Sequence, residues 1–564
     1  MNNPAARSSS QLHGMDIVPY ATVTIAWLAA VLLTHPITTG DTTDYIASIT
    51  ARLNGRDYNF WDFGHLFWRP LGVVLTSAMR SVTGSADLRV IALAPLVFVN
   101  VASGLGAGYF LLATLRRLHL DGGWAVPLTI AFLLTQGVLD YGQSGTAYVP
   151  GLFFLTLGLY LAVRSATQEN WRFSATLAGV AGAVAAAFWL PHVFVIPALG
   201  VAAGWLGKRR GPAPLVAVAL GAGVTGVLVF VGTAVALGVR TPAEFWTVFT
   251  AASHGISGIS GIPRTVLGFG RSFLYVGDDG AIMRRYISGD PYAPVGLPRV
   301  LATRVWLIGL IWLMGGLVLL QLLRARRHGT LLAVFAVAAA PILLWAVAWQ
   351  GGDIERYMPL YPFVFLLLAA LLGQSAHAGR TRVALALGLA FMAINNVAGL
   401  STFAAEARRD AVAHRIEPLR GRAADEDLLW VSHIQDDVLQ LSNSFPLQPL
   451  LEGLELRVGY LVQFGAPQVD YWQEAFAERV QRVWEQGADV WIATRLLAPT
   501  PLPHWDWIEG SDPRVSWPDF ALFFRNFEFE PAEGDTFLLL RRTPGNEARI
   551  AQLARDVPGS TGRS

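Results

Sequence analysis

Cysteine is absent from the chain. That excludes disulfides, thiolate chemistry and cysteine-based metal sites, and it leaves the redox compartment open. Lysine is nearly absent too, with Lys208 alone against 41 arginines. We read this as GC-rich codon usage rather than as function. Charge is scarce: 15% of the 564 residues are charged and 53% are hydrophobic. Soluble domains carry about 25% charge, so an ordinary soluble enzyme is excluded. The formal net charge of +2 gives no reason to expect a nucleic-acid partner. The first apolar run lacks a small-residue cleavage site, and residues 1–15 hold only Arg7 as a fixed positive charge. That run is expected to stay as a membrane span rather than leave as a signal peptide.

Long apolar runs are what the chain has instead. Several approach or exceed the roughly 20 residues a spanning helix needs. In lipid, helices satisfy the backbone internally. The runs predict eleven spans, near 16–34, 88–114, 122–140, 147–164, 174–190, 191–207, 212–238, 301–323, 330–349, 357–375 and 382–401. With the N-terminus inside, every inner turn is short and basic. Those turns contain Arg116–Arg117, Arg164 with Arg172, Lys208–Arg209–Arg210, Arg324 with Arg326–Arg327, and Arg380 with Arg382. This is the pattern of the positive-inside rule. The expected location is the inner (plasma) membrane, multi-pass, with a cytoplasmic N-terminus and the C-terminal region outside.

Charge divides the chain. Residues 1–401 hold 26 basic and 15 acidic residues, whereas 402–564 hold 16 basic and 25 acidic. We expect a transmembrane domain over 1–401 and an extracytoplasmic α/β domain over 402–564, the latter of ordinary domain size. In that tail, 426–433, 488–496 and 535–543 read as buried strands, and 473–487 reads as a helix stopped by Gly487. No nucleotide-binding glycine fingerprint lies between a strand and a helix there, so the tail is assigned no chemistry.

Two outer loops are long, about 35–87 and 239–300, and loops of that length usually serve a function or are disordered. Both are too aromatic and apolar to read as disordered. In the first, "DTTDYIASITARLNG" predicts a short helix with Ile46, Ile49 and Leu53 on one face. "RPLGVVLTSAMRSVTG" predicts a second, with Pro70 in its first turn. Both are too short to span and are expected along the outer membrane surface, apolar face down.

Asp41 and Asp44 open the first of these helices. One reading is a helix cap close to a capping box. The other is a carboxylate at the membrane interface that takes a proton from an attacking hydroxyl or holds a metal. The two readings are compatible.

The layout resembles the GT-C superfamily of membrane glycosyltransferases, in the branch of protein O-mannosyltransferases and lipid A aminoarabinose transferases. In that family an acidic motif follows the first span on the outer face, and two surface helices precede the second span. Many members of the branch have Asp-Glu there, with a tyrosine four residues after the Asp. Here Asp41 is followed by Tyr45 at that interval, while Thr42 stands where the family has Glu. Relatives also have a His shortly before a Pro-Pro-Leu-Gly-like segment. His65 and Pro70–Leu71–Gly72 match it, with Arg69 where a second proline often sits. In "GGDIERYMPLYP", Arg356–Tyr357 matches an Arg-Tyr found before a late span. The resemblance covers about 400 residues as a layout.

The resemblance implies a polytopic α-helical membrane protein of GT-C type, with about eleven transmembrane helices, two surface helices and a C-terminal α/β soluble domain. It implies a hexosyl- or pentosyltransferase that uses a sugar on a polyprenyl phosphate and inverts the anomeric centre. The acceptor is a glycan, lipid or protein reached from the outer face. Asp41 is the implied general base, with Asp44 as the alternative. His65, Arg69, Arg356 and Tyr357 are the implied contacts to the donor phosphate, since guanidinium binds phosphate oxygens well. Tyr45 and Tyr141 are expected beside them, Tyr141 from the same outer turn as Gln143 and Tyr148. His254, Arg264 and Arg271 are candidates in the glycine-rich second loop. For each there is a plainer reading: interfacial anchors for Trp61, Trp68 and Arg69, and a snorkelling Arg356 paired with Asp353 or Glu355. No cofactor is predicted, because the acids show no metal-ligand spacing; a divalent metal, which some GT-C enzymes need, stays open as the alternative. A transporter would show charges buried within spans, and few are seen. A non-catalytic GT-C-like assembly partner is the other alternative.

Overall fold

The computed structural model describes residues 17–36, 40–53, 60–84, 88–120, 123–206, 211–251, 261–277, 295–325, 329–349, 351–372, 379–402, 427–432, 460–464, 472–498, 517–531 and 537–555, with a few isolated residues between them. The helices before the tail are α1 (Ile17–Leu33), α2 (Gly40–Leu53), α3 (Trp68–Thr83), α4 (Leu88–Arg117), α5 (Ala125–Leu133), α6 (Gln136–Tyr141), α7 (Tyr148–Thr167) and α8 (Trp171–Phe188). There follow α9 (Ile196–Trp205), α10 (Ala213–Gly226), α11 (Gly232–Ala236), α12 (Pro242–Ala251), α13 (Gly261–Phe273), α14 (Leu297–Leu301), α15 (Leu307–Ala325), α16 (Gly329–Ala348), α17 (Tyr361–Leu372) and α18 (Gly379–Gly399). The chain forms two compact units. One comprises residues 1–36, 45–277 and 306–401; the other comprises 37–44, 278–305 and 402–564, so a boundary falls within α2.

Every expected span coincides with helix in the first unit. Among the described residues seven helices are long and apolar enough to cross a membrane, and Ile17–Leu33, Leu190–Trp205 and Leu307–Leu323 are shorter apolar helices. The eleventh, 122–140, is broken. Thr135 turns to extended backbone between α5 and α6. The carbonyl of Leu134 exposed by that break accepts from Asn396 Nδ2 of α18 at 2.7 Å. A broken helix within a bundle is tolerated when a side chain re-satisfies its backbone in this way. Asn396 also takes Phe273 O at 2.7 Å and receives Tyr275 N–H at 2.8 Å, so one buried amide secures the end of α13 as well.

The span over 355–372 is almost wholly buried, whereas 213–236 is mostly exposed. Leu220, Val224 and Leu228 point outward there, as lipid-facing side chains do. That outer helix is held to α8 by backbone contact. A Cβ at Gly221 would collide with Thr176 O, and one at Gly179 with Val218 O, so only glycine permits the crossing.

Both loop helices form, but the apolar face of α2 meets protein, while Val74 and Val82 of α3 stay exposed. Ile49, with Ile46 and Leu53 beside it, packs into a cluster with Tyr45, Trp68, Leu96 and Phe188. This face is therefore covered by α3, α4 and α8 rather than laid open to the membrane surface. Gly84, left-handed at φ 64°, ends α3.

In the second unit, β1 (Leu428–Ser432), β2 (Tyr460–Phe464), β3 (Val490–Ala493), β4 (Phe529–Pro531) and β5 (Phe537–Leu540) form one sheet in the order β2-β1-β3-β5-β4. β1 pairs parallel with β2 and β3, Leu428 opposite Tyr460 and Val490; β5 is antiparallel to β3 and β4. The helices are α19 (Trp472–Glu485), α20 (Trp517–Arg525) and α21 (Pro544–Arg555). Phe476, Val480, Trp491, Phe520 and Phe524 form the buried core between sheet and helices. The three expected strands and the helix are present, with Gly487 at φ 78° just past α19.

Candidate active site

The segment before α3 is tied down by its own backbone. Gly64 N–H donates to Asp62 Oδ1 at 2.8 Å, and His65 N–H to Asp62 O at 3.0 Å, a turn that aspartate favours. Phe67 N–H reaches Ala187 O, and Leu190 N–H reaches Gly64 O, each at 3.0 Å. Trp68 is fully buried and donates Nε1–H to Gly145 O at 3.0 Å. These bonds fix His65 and Arg69 against the ends of α8 and α6.

Asp62 then joins them. Its Oδ2 accepts from Arg69 Nη1 at 2.9 Å and from His65 Nδ1 at 3.0 Å. Burial alone would raise the Asp62 carboxyl. The hydrogen bond and charge of His65, with the charge of Arg69, outweigh it and hold the group well below the usual carboxylate range. The Arg69 guanidinium also lies 5.0 Å from the centre of the Tyr45 ring.

Aromatic contacts continue from this triad. Tyr45 meets His65 edge-on at 5.4 Å, and His65 meets Tyr148 at 5.8 Å. Tyr148 packs on Tyr141 at 4.9 Å and on Trp189 at 5.0 Å. Such pairs are favourable beyond the area they bury. Tyr141 then donates its hydroxyl to Glu355 Oε2 at 2.8 Å. Arg356 beside it has Asp353 Oδ2 at 3.5 Å and Glu355 Oε1 at 3.6 Å. Its guanidinium stacks 4.1 Å from the Trp349 ring centre and 4.7 Å from that of Trp345. Three segments far apart in sequence, 45–69, 141–148 and 353–356, thus converge in one polar and aromatic cluster.

The remaining expected residues fall elsewhere. Tyr357 is fully buried, and its hydroxyl is shared between Gly351 O at 2.5 Å and Thr265 O at 3.0 Å. It fastens α13 to the 351–356 turn. Arg264 and Arg271 lie half-buried on that helix, and His254 lies outside the described residues. Gln143 donates to Thr34 Oγ1 at 2.8 Å and ties the end of α1. His192 is fully buried against Trp189. Asp41 is half-buried in the first turn of α2, and Asp44 follows three residues later on the same helix. Asp62 is the member that sequence reasoning misses: it sits in an irregular loop, where only its spacing of three from His65 and seven from Arg69 hints at a role. Among the described residues no group of three or more acids and histidines is arranged to hold a metal.

Solved structures align with most of the chain. The apo structure of ArnT from Cupriavidus metallidurans aligns with a TM-score of 0.51 at 13% identity, covering 95% of this chain and 98% of that one. ArnT from the same organism bound to undecaprenyl phosphate aligns at 0.48 and 13%, covering 95% and 99%. An apo oligosaccharyltransferase from Archaeoglobus fulgidus aligns at 0.45 and 13%, covering 86% and 70%. No family model matches the chain, and no curated protein matches it by sequence. The chain shares its fold with the apo ArnT structure, and among the described residues it has seven helices long and apolar enough to cross a membrane.

Proposed function

We propose that this protein is a membrane glycosyltransferase that moves a sugar from a polyprenyl-phosphate donor to an acceptor on the outer face of the membrane. The observation that carries the reading is the convergence, on a GT-C fold, of His65 and Arg69 with Tyr141, Tyr148 and Arg356. The fold is shared with ArnT, which has also been crystallised with undecaprenyl phosphate, and we carry that donor class over.

In the proposed reaction the donor's isoprenoid tail stays in lipid. Asp41 takes the proton of the acceptor hydroxyl or amine as that group attacks the anomeric carbon, which inverts. The bond from anomeric carbon to phosphate oxygen breaks, and its electrons leave with the lipid phosphate. Arg69, His65 and Arg356 stabilise the charge that grows there, the kind of interaction that strengthens only in the transition state. Asp41 precedes Tyr45 by about one turn of α2, which supports its assignment over Asp44. Tyr45 and Tyr141 position the cluster, and Tyr357 holds the turn that carries Arg356. His254, Arg264 and Arg271 belong to a loop proposed to cover the phosphate.

Purified protein incubated with labelled polyprenyl-phosphate sugars should release lipid phosphate and label an acceptor. Asp41→Asn should abolish transfer and leave the melting temperature near wild type. A transporter or a non-catalytic partner would release no lipid phosphate. Full activity in Asp41→Asn with none in Asp44→Asn would move the base to Asp44.

A further inference from the structure

Asp62 plays no part in the reaction just described, yet three groups point at its carboxylate. An ionised carboxylate only accepts hydrogen bonds. The His65 nitrogen that faces it, Nδ1, must therefore carry a proton. The opposite nitrogen, Nε2, is buried and has no hydrogen-bond partner among the described residues. Leaving such a nitrogen unpaired is costly unless a ligand completes it. The ring is gripped edge-on by Tyr45 from α2 and Tyr148 from α7, so it cannot swing away to find another partner.

The groups around the imidazole are Asp62 in its own loop, Arg69 on α3, Tyr45 on α2 and Tyr148 on α7, with Tyr141 and Glu355 one contact further. Asp62 is the only acid in direct contact with the ring among them. A carboxylate behind an imidazole fixes its tautomer. With Nδ1–H held by Asp62, Nε2 can meet an anionic oxygen only as a donor, on the imidazolium, and that oxygen is the ligand chemistry that completes the ring.

We propose that Asp62 is a positioning residue for the transfer: it clamps His65 by Nδ1 and directs Nε2–H at a phosphate oxygen of the lipid-linked donor. This rests on the reading above in one respect, that His65 faces the bound donor. It gives His65 a defined contact through Nε2, while Arg69, on the same carboxylate oxygen, remains one of the groups that stabilise the phosphate charge.

The test uses the full chain in lipid nanodiscs with 15N-labelled histidine. Two-bond proton–nitrogen spectra report which ring nitrogen carries a proton, and His65→Gln assigns the signal. In wild type Nδ1 of His65 should carry a proton, and adding undecaprenyl phosphate should move the Nε2 signal towards that of a protonated nitrogen. In Asp62→Asn the proton should no longer be confined to Nδ1, and the Nε2 response to undecaprenyl phosphate should shrink. Asp62→Glu, which restores the carboxylate, should recover much of both, and Asp62→Ser takes the place of the Asn variant if that variant does not fold. An unchanged tautomer and an unchanged Nε2 response in the folded Asn or Ser variant overturn the proposal. So does a His65 signal that undecaprenyl phosphate never moves. Sugar transfer without any response of His65 defeats this proposal and leaves the transferase reading standing. A response of His65 without transfer from any donor does the reverse.

Discussion

Tyr141 donates its hydroxyl to Glu355 Oε2 at 2.8 Å across 214 positions of sequence. Both residues are buried. The bond joins the end of α6 to the segment that presents Arg356, and so couples two parts of the helical unit on which the proposed site depends. Tyr141→Phe removes the hydroxyl and keeps the ring against Tyr148. It leaves a buried carboxyl group short of a donor, and an unsatisfied buried acceptor costs about 1–3 kcal/mol. Thermal unfolding in detergent should show that loss, with transfer reduced because Arg356 loses its fixed neighbour.

The Asp62–Arg69 pair is the second lever. Both side chains are buried, at 8% and 2% exposure. Removing one partner strands the other's charge, which costs about 3–5 kcal/mol. Asp62→Ala should therefore destabilise the protein by about that amount at pH 7. Asp62 titrates below its unfolded value in the native state, so its contribution is fully present above the unfolded carboxylate range, about pH 4. It is lost only as pH falls through the depressed native value. The contribution of the Asp62 carboxylate to the stability gap between wild type and Asp62→Asn should close only in strong acid.

Arg356 lies on the faces of Trp349 and Trp345. A flat guanidinium stacks there, and a compact ammonium does so poorly. Arg356→Lys should keep the charge yet weaken the stacked arrangement, a cation–π contribution of about 0.5–2 kcal/mol. The proposed role predicts a higher KM for the lipid donor and a lower kcat. Trp349→Leu should produce the same change in smaller degree.

The α8–α10 crossing gives a prediction away from the site. Gly221→Ala drives a methyl into Thr176 O, a backbone atom that cannot rotate aside. Overpacking of this kind costs about 1–3 kcal/mol. The melting temperature should fall with the chemistry intact in the folded fraction.

Much of the helical unit is legible in the sequence because apolar length is a one-dimensional property. Runs such as 330–349 and 382–401 have to be helices in lipid whatever surrounds them. The break at Thr135 is not legible, since it depends on Asn396 arriving from α18 to take the freed carbonyl. Strand β4 is only three residues long and ends at Pro531, too short for any alternation to register. The apolar face of α2 reads as a membrane surface face because sequence shows which face is apolar and not what covers it. At the site, residue type and chain position are enough to mark His65, Arg69 and Arg356. They are silent on Asp62, whose value lies entirely in which two side chains reach it, and on the link from Tyr141 to Glu355.

The central claim is sugar transfer from a polyprenyl-phosphate donor. The most direct measurement is release of polyprenyl phosphate by the purified full chain from a panel of polyprenyl-phosphate hexoses and pentoses, with membrane extract as the acceptor source and Asp41→Asn alongside. The account predicts release from at least one donor by wild type and none by the folded variant. No release from any donor would contradict it, and equal release by Asp41→Asn would remove Asp41 as the base.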